Sequence, residues 1–246
     1  MKNMLTVLII TFFTLFAGFA GAGFLDDVVK ELPGIKRAVI SGPAIDEKTA
    51  VSGIKEALSI GTEKAIRALS KTDGYFANAM VKILLPDKIQ KVANLAAKIG
   101  FQPQVDHFIL SMNRAAEAAA PKAAALFADA LKSMSLDDAR KILRGSDTAA
   151  TEYFRDKTSQ KLYDAFRPVV VANMEKVGVA KAYKNMVTPV KGFVASSESV
   201  DIDHYVTQKA LDGLFYMVSE EEKKIRTDPA ARVTDLLKTV FGKQTE

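Results

Sequence analysis

Apolar residues recur at helical spacing through nearly all of the chain beyond residue 45. Asp46 reads as an N-cap, and Ala50, Ile54, Ala57 and Leu58 follow on one face. A second amphipathic stretch runs through Ala65, Ile66 and Leu69 until Asp73-Gly74 breaks it as a turn. Leu84-Leu85-Pro86-Asp87 opens the next helix, with Leu85, Ile89, Val92, Ala96 and Ile99 on its stripe and Gly100 at its end. Val105, Phe108, Ile109, Met112 and Ala116 make another, and Pro121 ends or kinks it ahead of an Ala-rich successor carrying Leu126, Phe127, Ala130 and Leu131. Ser135 and Asp138 form a capping-box pattern, with Arg140, Lys141 and Arg144 toward the C-terminal dipole and Gly145 after it. A long helix follows from Asp147 or Thr148 with Tyr153, Phe154, Leu162 and Phe166 inward, interrupted at Pro168 and continuing through Met174 and Val177. Val179 to Val187 reads as a short helix and Thr188 to Ser199 as the loosest stretch. Asp201 or Asp203 caps a helix to about Ile225, and Asp228-Pro229 starts a last one whose stripe is Val233, Leu236, Leu237, Val240 and Phe241. No run sustains period-two alternation, so no sheet is predicted. The pattern predicts one all-α domain over residues 46–242, a single globular multi-helix bundle of about eight to ten helices, with residues 243–246 as a short tail.

The first segment obeys a different pattern. Lys2 is followed by an almost wholly apolar stretch from Met4 to Phe19, and Ala20-Gly21-Ala22-Gly23 supplies an A-x-A processing site. Residues 1–22 therefore read as a cleavable signal peptide and 23–45 as a lead-in, which predicts an exported, periplasmic protein. The competing reading is a retained N-terminal membrane anchor, since Met4 to Leu25 carries no charge and is long enough to span a bilayer. Composition narrows the chemistry. Of 246 residues, 48% are hydrophobic and 26% charged, which is globular rather than disordered or polytopic. The absence of Cys removes disulfides, thiolate metal sites and cysteine nucleophiles. A formal charge of +5 fits anionic surfaces only weakly, and export argues against nucleic acid as a partner.

Three polar groupings are candidates for chemistry. Asn113, Arg114 and Glu117 share about one turn, and with Asp73 and Tyr75 they are the first candidates for holding an anion or for acid–base work. The structural alternative is a paired cluster tying elements together, with the helix face carrying it covered by another helix. Val105-Asp106-His107-Phe108 and Ile202-Asp203-His204-Tyr205 contain both histidines, and Asp106, His107, Asp203 and His204 are weak candidates for a metal site. Adjacent residues on a helix point about 100° apart, so each Asp-His pair would offer one ligand, and Asp near a helix start is favoured by capping alone. Glu220 to Pro229 reads as a solvated helix end, with Glu220 pairing to Lys223 and Lys224 and Asp228 capping the next helix. No P-loop, G-x-S-x-G elbow, dinucleotide fingerprint or H-E-x-x-H occurs, so no cofactor is expected.

Several ordered runs carry a resemblance: Ile54 to Gly61, Asp73 to Phe76, Ile83 to Pro86, Met112 to Glu117, Asp137 to Gly145, Ala149 to Phe154, Tyr205 to Phe215 and Glu221 to Pro229. In that order they resemble the bacterial domain-of-unknown-function family four-one-nine-seven across about Asp46 to Gly242. The resemblance implies an exported, all-helical, single-domain protein and no activity, so it transfers no site residue. His107 and His204 stand outside its pattern. The reading that results is a non-catalytic protein binding a hydrophobic or anionic small molecule, or an envelope partner. The alternative is an enzyme drawing on Asn113, Arg114, Glu117, Asp73 and Tyr75 from several elements.

Overall fold

The computed structural model describes residues 47–176 and 200–241, together with 178, 181, 183–185 and 188. The signal, lead-in and tail readings, and most of the segment from Val179 to Ser199, lie outside the described residues. Eight α-helices are bounded among the described residues, and no strand: α1 Glu47–Ser70, α2 Asp87–Ala96, α3 Gln102–Ala119, α4 Ala123–Ser133, α5 Leu136–Arg144, α6 Ala149–Lys176, α7 Ile202–Thr227 and α8 Asp235–Phe241. All of them fall in one compact unit. The all-α prediction holds.

The helix ends follow local chemistry. Ser135 accepts from the Asp138 N–H at 3.1 Å while Asp138 accepts from the Ser135 N–H, the reciprocal box the sequence announces. Asp201, rather than Asp203, caps α7, its carboxylate accepting the His204 N–H at 2.9 Å. Gly100 adopts φ +95° and lets the chain turn from α2 into α3 through a kinked join at Ala97–Phe101. That turn takes Ile99 off the stripe assigned to it and leaves it exposed.

The two stretches before Asp73 run on as one helix, α1, with Gly53 and Gly61 packed against neighbours. Two boundaries differ from the sequence reading. α6 runs unbroken through Pro168; tertiary packing of Phe166, Val170 and Met174 on both sides of the proline holds a helix that propensity would interrupt. Asp228 caps only the short 3-10 turn Pro229–Ala231, and α8 starts later at Asp235.

The core forms where α6 lies along α7, with α3 packed on α6 and α1 on α7. Phe127 of α4 joins the layers, its ring 4.8 Å from Phe154 of α6 and 6.2 Å from Phe215 of α7 between centroids. Each such fully buried aromatic contributes about 1.5–3 kcal/mol from area alone. Ala115, Ala116, Ala119, Ala120 and Ala123 are all wholly buried, so the backbone of α3 and the start of α4 can approach their neighbours closely. Between α1 and α2, residues 71–86 pass as a non-helical segment that seats on α7 at Gly213. A Cβ on Gly213 would stand 2.7 Å from Cε1 of Tyr75 and 3.1 Å from Cβ of Val81. This segment carries Asp73 and Tyr75.

Candidate functional site

Asn113, Arg114 and Glu117 of α3 converge on the segment between α1 and α2, and Asp73 and Tyr75 meet them there. Asn113 is 0% exposed, and its amide engages Ile83 on both sides: Oδ1 accepts the Ile83 N–H and Nδ2 donates to the Ile83 carbonyl, each at 2.8 Å. It also donates to the Ile109 carbonyl at 2.8 Å. One side chain thereby supplies what a neighbouring strand would give Ile83. Glu117 is 4% exposed; its Oε1 accepts the N–H of Tyr75 at 3.1 Å and of Phe76 at 3.2 Å. Its Oε2 takes Nη1 of Arg114 at 2.6 Å, and Nη2 of Arg114 reaches Oδ1 of Asp73 at 2.6 Å. Asp73 sits at φ +66°, a left-handed turn position that Asp tolerates better than most residues. The Tyr75 phenol is fully buried and donates to the Ala210 carbonyl of α7 at 2.7 Å. Burial first, and the Glu117 carboxylate second, push that phenol far above its ordinary pKa. The hydrogen bond to Glu117 is the main cause that raises Arg114.

The five candidates are thus brought together, and every one is held by another protein group. The expectation that this face of α3 is covered by a second helix is corrected: the non-helical segment 73–83 covers it. A loop over a helix must have its backbone donors and acceptors satisfied, and Asn113 and Glu117 do so.

A similar arrangement occurs where the sequence predicts only a solvated face. Glu222 of α7 is 5% exposed and accepts the N–H groups of Ala150 at 3.0 Å and Thr151 at 2.8 Å, capping the start of α6 from another helix. Arg226 donates to Glu222 and to the Ile142 carbonyl at 2.8 Å. Buried Arg232 donates to the carbonyls of Ile225 and Arg226 at the end of α7. Lys223 pairs with Glu220, but Lys224 pairs with Glu221. The signal for Glu222 was its phase: it falls on the stripe of Leu211, Leu214, Val218 and Ile225, all buried. The small pocket beside it holds about 20 Å³, room for about one water.

The metal candidates do not assemble. Asp106 is exposed and bonded to Gln102; His107 is exposed; Nδ1 of His204 lies 2.8 Å from the Tyr163 hydroxyl. Burial, then Asp201, raises the Asp203 carboxyl. Among the described residues no three His, Cys, Asp or Glu side chains could hold one ion.

The larger open space lies elsewhere, between residues 80–87 and α7. This cleft holds about 760 Å³ and is lined in part by Lys82, Leu84, Pro86, Tyr205, Lys209 and Tyr216. Leu84 stands 58% exposed at it, beside an equally open Met80. Tyr205 crosses the cleft to donate to the Leu84 carbonyl at 3.0 Å, and burial followed by Asp87 raises its phenol, keeping it a donor. Sequence reading missed this cleft, because Tyr205 and Leu84 are far apart in the chain. Among the described residues no helix is long and apolar enough to cross a membrane. Compared with known proteins, residues 44–242 match the family model described as Protein of unknown function (DUF4197). No curated protein and no solved structure matches the chain.

Proposed function

The chain belongs to the protein family of unknown function DUF4197, and we propose that it acts without catalysis, as an exported, periplasmic protein that binds a small hydrophobic or anionic molecule. The binding place is the cleft between residues 80–87 and α7. One observation carries this reading: its volume of about 760 Å³ is of ligand size. Leu84 and Met80 offer apolar surface to a ligand body, and Lys82 offers positive charge to an anionic end, while Lys209 is paired with Asp212 and Asp87 is also in the lining. Export rests on the sequence pattern from Lys2 to Ala22. Support for a non-catalytic role comes from the Asn113–Arg114–Glu117–Asp73–Tyr75 cluster, whose buried groups are all engaged in holding the fold.

The test is native mass spectrometry of the protein recovered from the periplasm, as wild type and as Leu84→Glu. Leu84 is exposed, so the substitution leaves the core intact while placing an acid at the cleft. A small molecule bound to wild type and lost from Leu84→Glu is expected. A ligand-free wild type, or equal occupancy in the variant, would overturn the reading.

A further inference from the structure

On the side of α7 facing α6, a second cleft of about 320 Å³ is lined by Arg155, Ser159, Tyr163, His204, Gln208 and Asp212, among others. We propose that this cleft is a small-oxyanion site, taking a phosphate ester or a carboxylate on Arg155, His204 and Gln208. The proposal does not rest on the ligand cleft at residues 80–87.

The Arg155 guanidinium carries it. Among the described residues this group has no carboxylate or hydrogen-bond partner, and its Cζ lies over the Phe215 ring, 4.5 Å from the centroid. Phe215 is itself buried, so the platform is rigid. A stacked, unpaired guanidinium keeps its fork of donors free for a planar or tetrahedral oxyanion. His204 supplies a second donor. The Tyr163 hydroxyl lies 2.8 Å from Nδ1. In the proposed site this hydroxyl is the donor, which makes Nδ1 the acceptor and puts the ring proton on Nε2. The Gln208 amide, one turn further along α7, has no partner among the described residues and adds a neutral donor. The other polar groups of the cleft are occupied: Ser159 donates to the Arg155 carbonyl, Gln160 to Asp164, and Asp212 accepts from Lys209 at 3.4 Å. The Lys209 pairing offsets the one carboxylate in the lining that would repel an anion.

The chain has two histidines, which makes the test internal. Imidazole nitrogen–proton spectra are followed while inorganic phosphate, and in a second series acetate, is added at constant pH and ionic strength. His204 should shift with saturation and exposed His107 should not. Arg155→Gln, at an exposed position, should weaken binding by about tenfold or more, as expected when a charge-assisted bond is lost. Tyr163→Phe should alter the His204 nitrogen shifts before any anion is added, because the tautomer is no longer fixed. Saturation by phosphate alone assigns the site to phosphate esters, and by acetate alone to carboxylates; either supports the proposal. Parallel, non-saturating shifts of both histidines, or unchanged affinity in Arg155→Gln, would overturn it.

Discussion

Asn113 and Glu117 each do for a loop what secondary structure does for itself. Removing the Asn113 side chain would strand the N–H and carbonyl of buried Ile83, and each unpaired buried group costs about 1–3 kcal/mol. Glu117→Ala would release two backbone N–H groups and one bond of Arg114, a loss of about 3 kcal/mol. Arg114→Ala should cost less, because its side chain is 31% exposed and Glu117 keeps its two N–H donors. Thermal or urea unfolding of the two single variants and the double variant measures this. The double should lose less than the sum of the singles, since the three groups share bonds. A Glu117→Ala protein that unfolds like wild type would remove the architectural role.

Helix ends in this fold are capped in two ways, and they differ in how far the capping group comes along the chain. α5 is capped by its own neighbour Ser135, while α6 takes Glu222 from α7. The local cap has a pH signature. The Ser135 hydroxyl, and then its backbone N–H, hold the Asp138 carboxyl below its ordinary value of 3.8. A carboxyl lowered in the folded state contributes stability that is present above the unfolded pKa and lost as pH falls through the folded one. Ser135→Ala should therefore cost about 1 kcal/mol near neutrality. It should also raise the Asp138 pKa toward 3.8, and the gap to wild type should narrow in acid to what the Ser135 hydroxyl contributes by accepting the Asp138 N–H. Carboxyl NMR titration beside pH-dependent melts checks both parts.

At the scale of the whole molecule, α8 packs on α1 where Gly53 leaves room for Val240 and Leu236. A Cβ at Gly53 would stand 2.4 Å from Cγ2 of Val240, which is itself buried. Gly53→Ala should lower stability by about 1–3 kcal/mol through overpacking, against a small gain in helix propensity. Adding Val240→Ala should recover part of that loss, because the methyl that clashes is gone. Double-mutant unfolding reads the coupling; additive losses would mean that α8 does not seat on Gly53 in solution.

The helical spacing of the stretches that form helices, the Ser135 box and the helix end at Gly100 could be read directly, because spacing, caps and backbone freedom act within a turn or two. The residues of the candidate cluster were also legible as a group on α3, since Asn113, Arg114 and Glu117 are neighbours on one helix. Asp73 and Tyr75 were named beside them, but Ile83 and the bonds that join the group were not, because those form only once the 71–86 segment lies across α3. The partners of Glu222 and Arg226 were likewise settled by packing: the phase of Glu222 put it on the apolar stripe, but a Glu–Glu–Glu–Lys–Lys run has the composition of a solvated face and does not show that Ala150, Thr151 and Ile142 wait there. The same holds for Tyr205 over Leu84 and Tyr163 beside His204. Local periodicity determines which face of a helix is apolar; which polar groups then meet across that boundary depends on contacts between distant segments, which no spacing along the chain encodes.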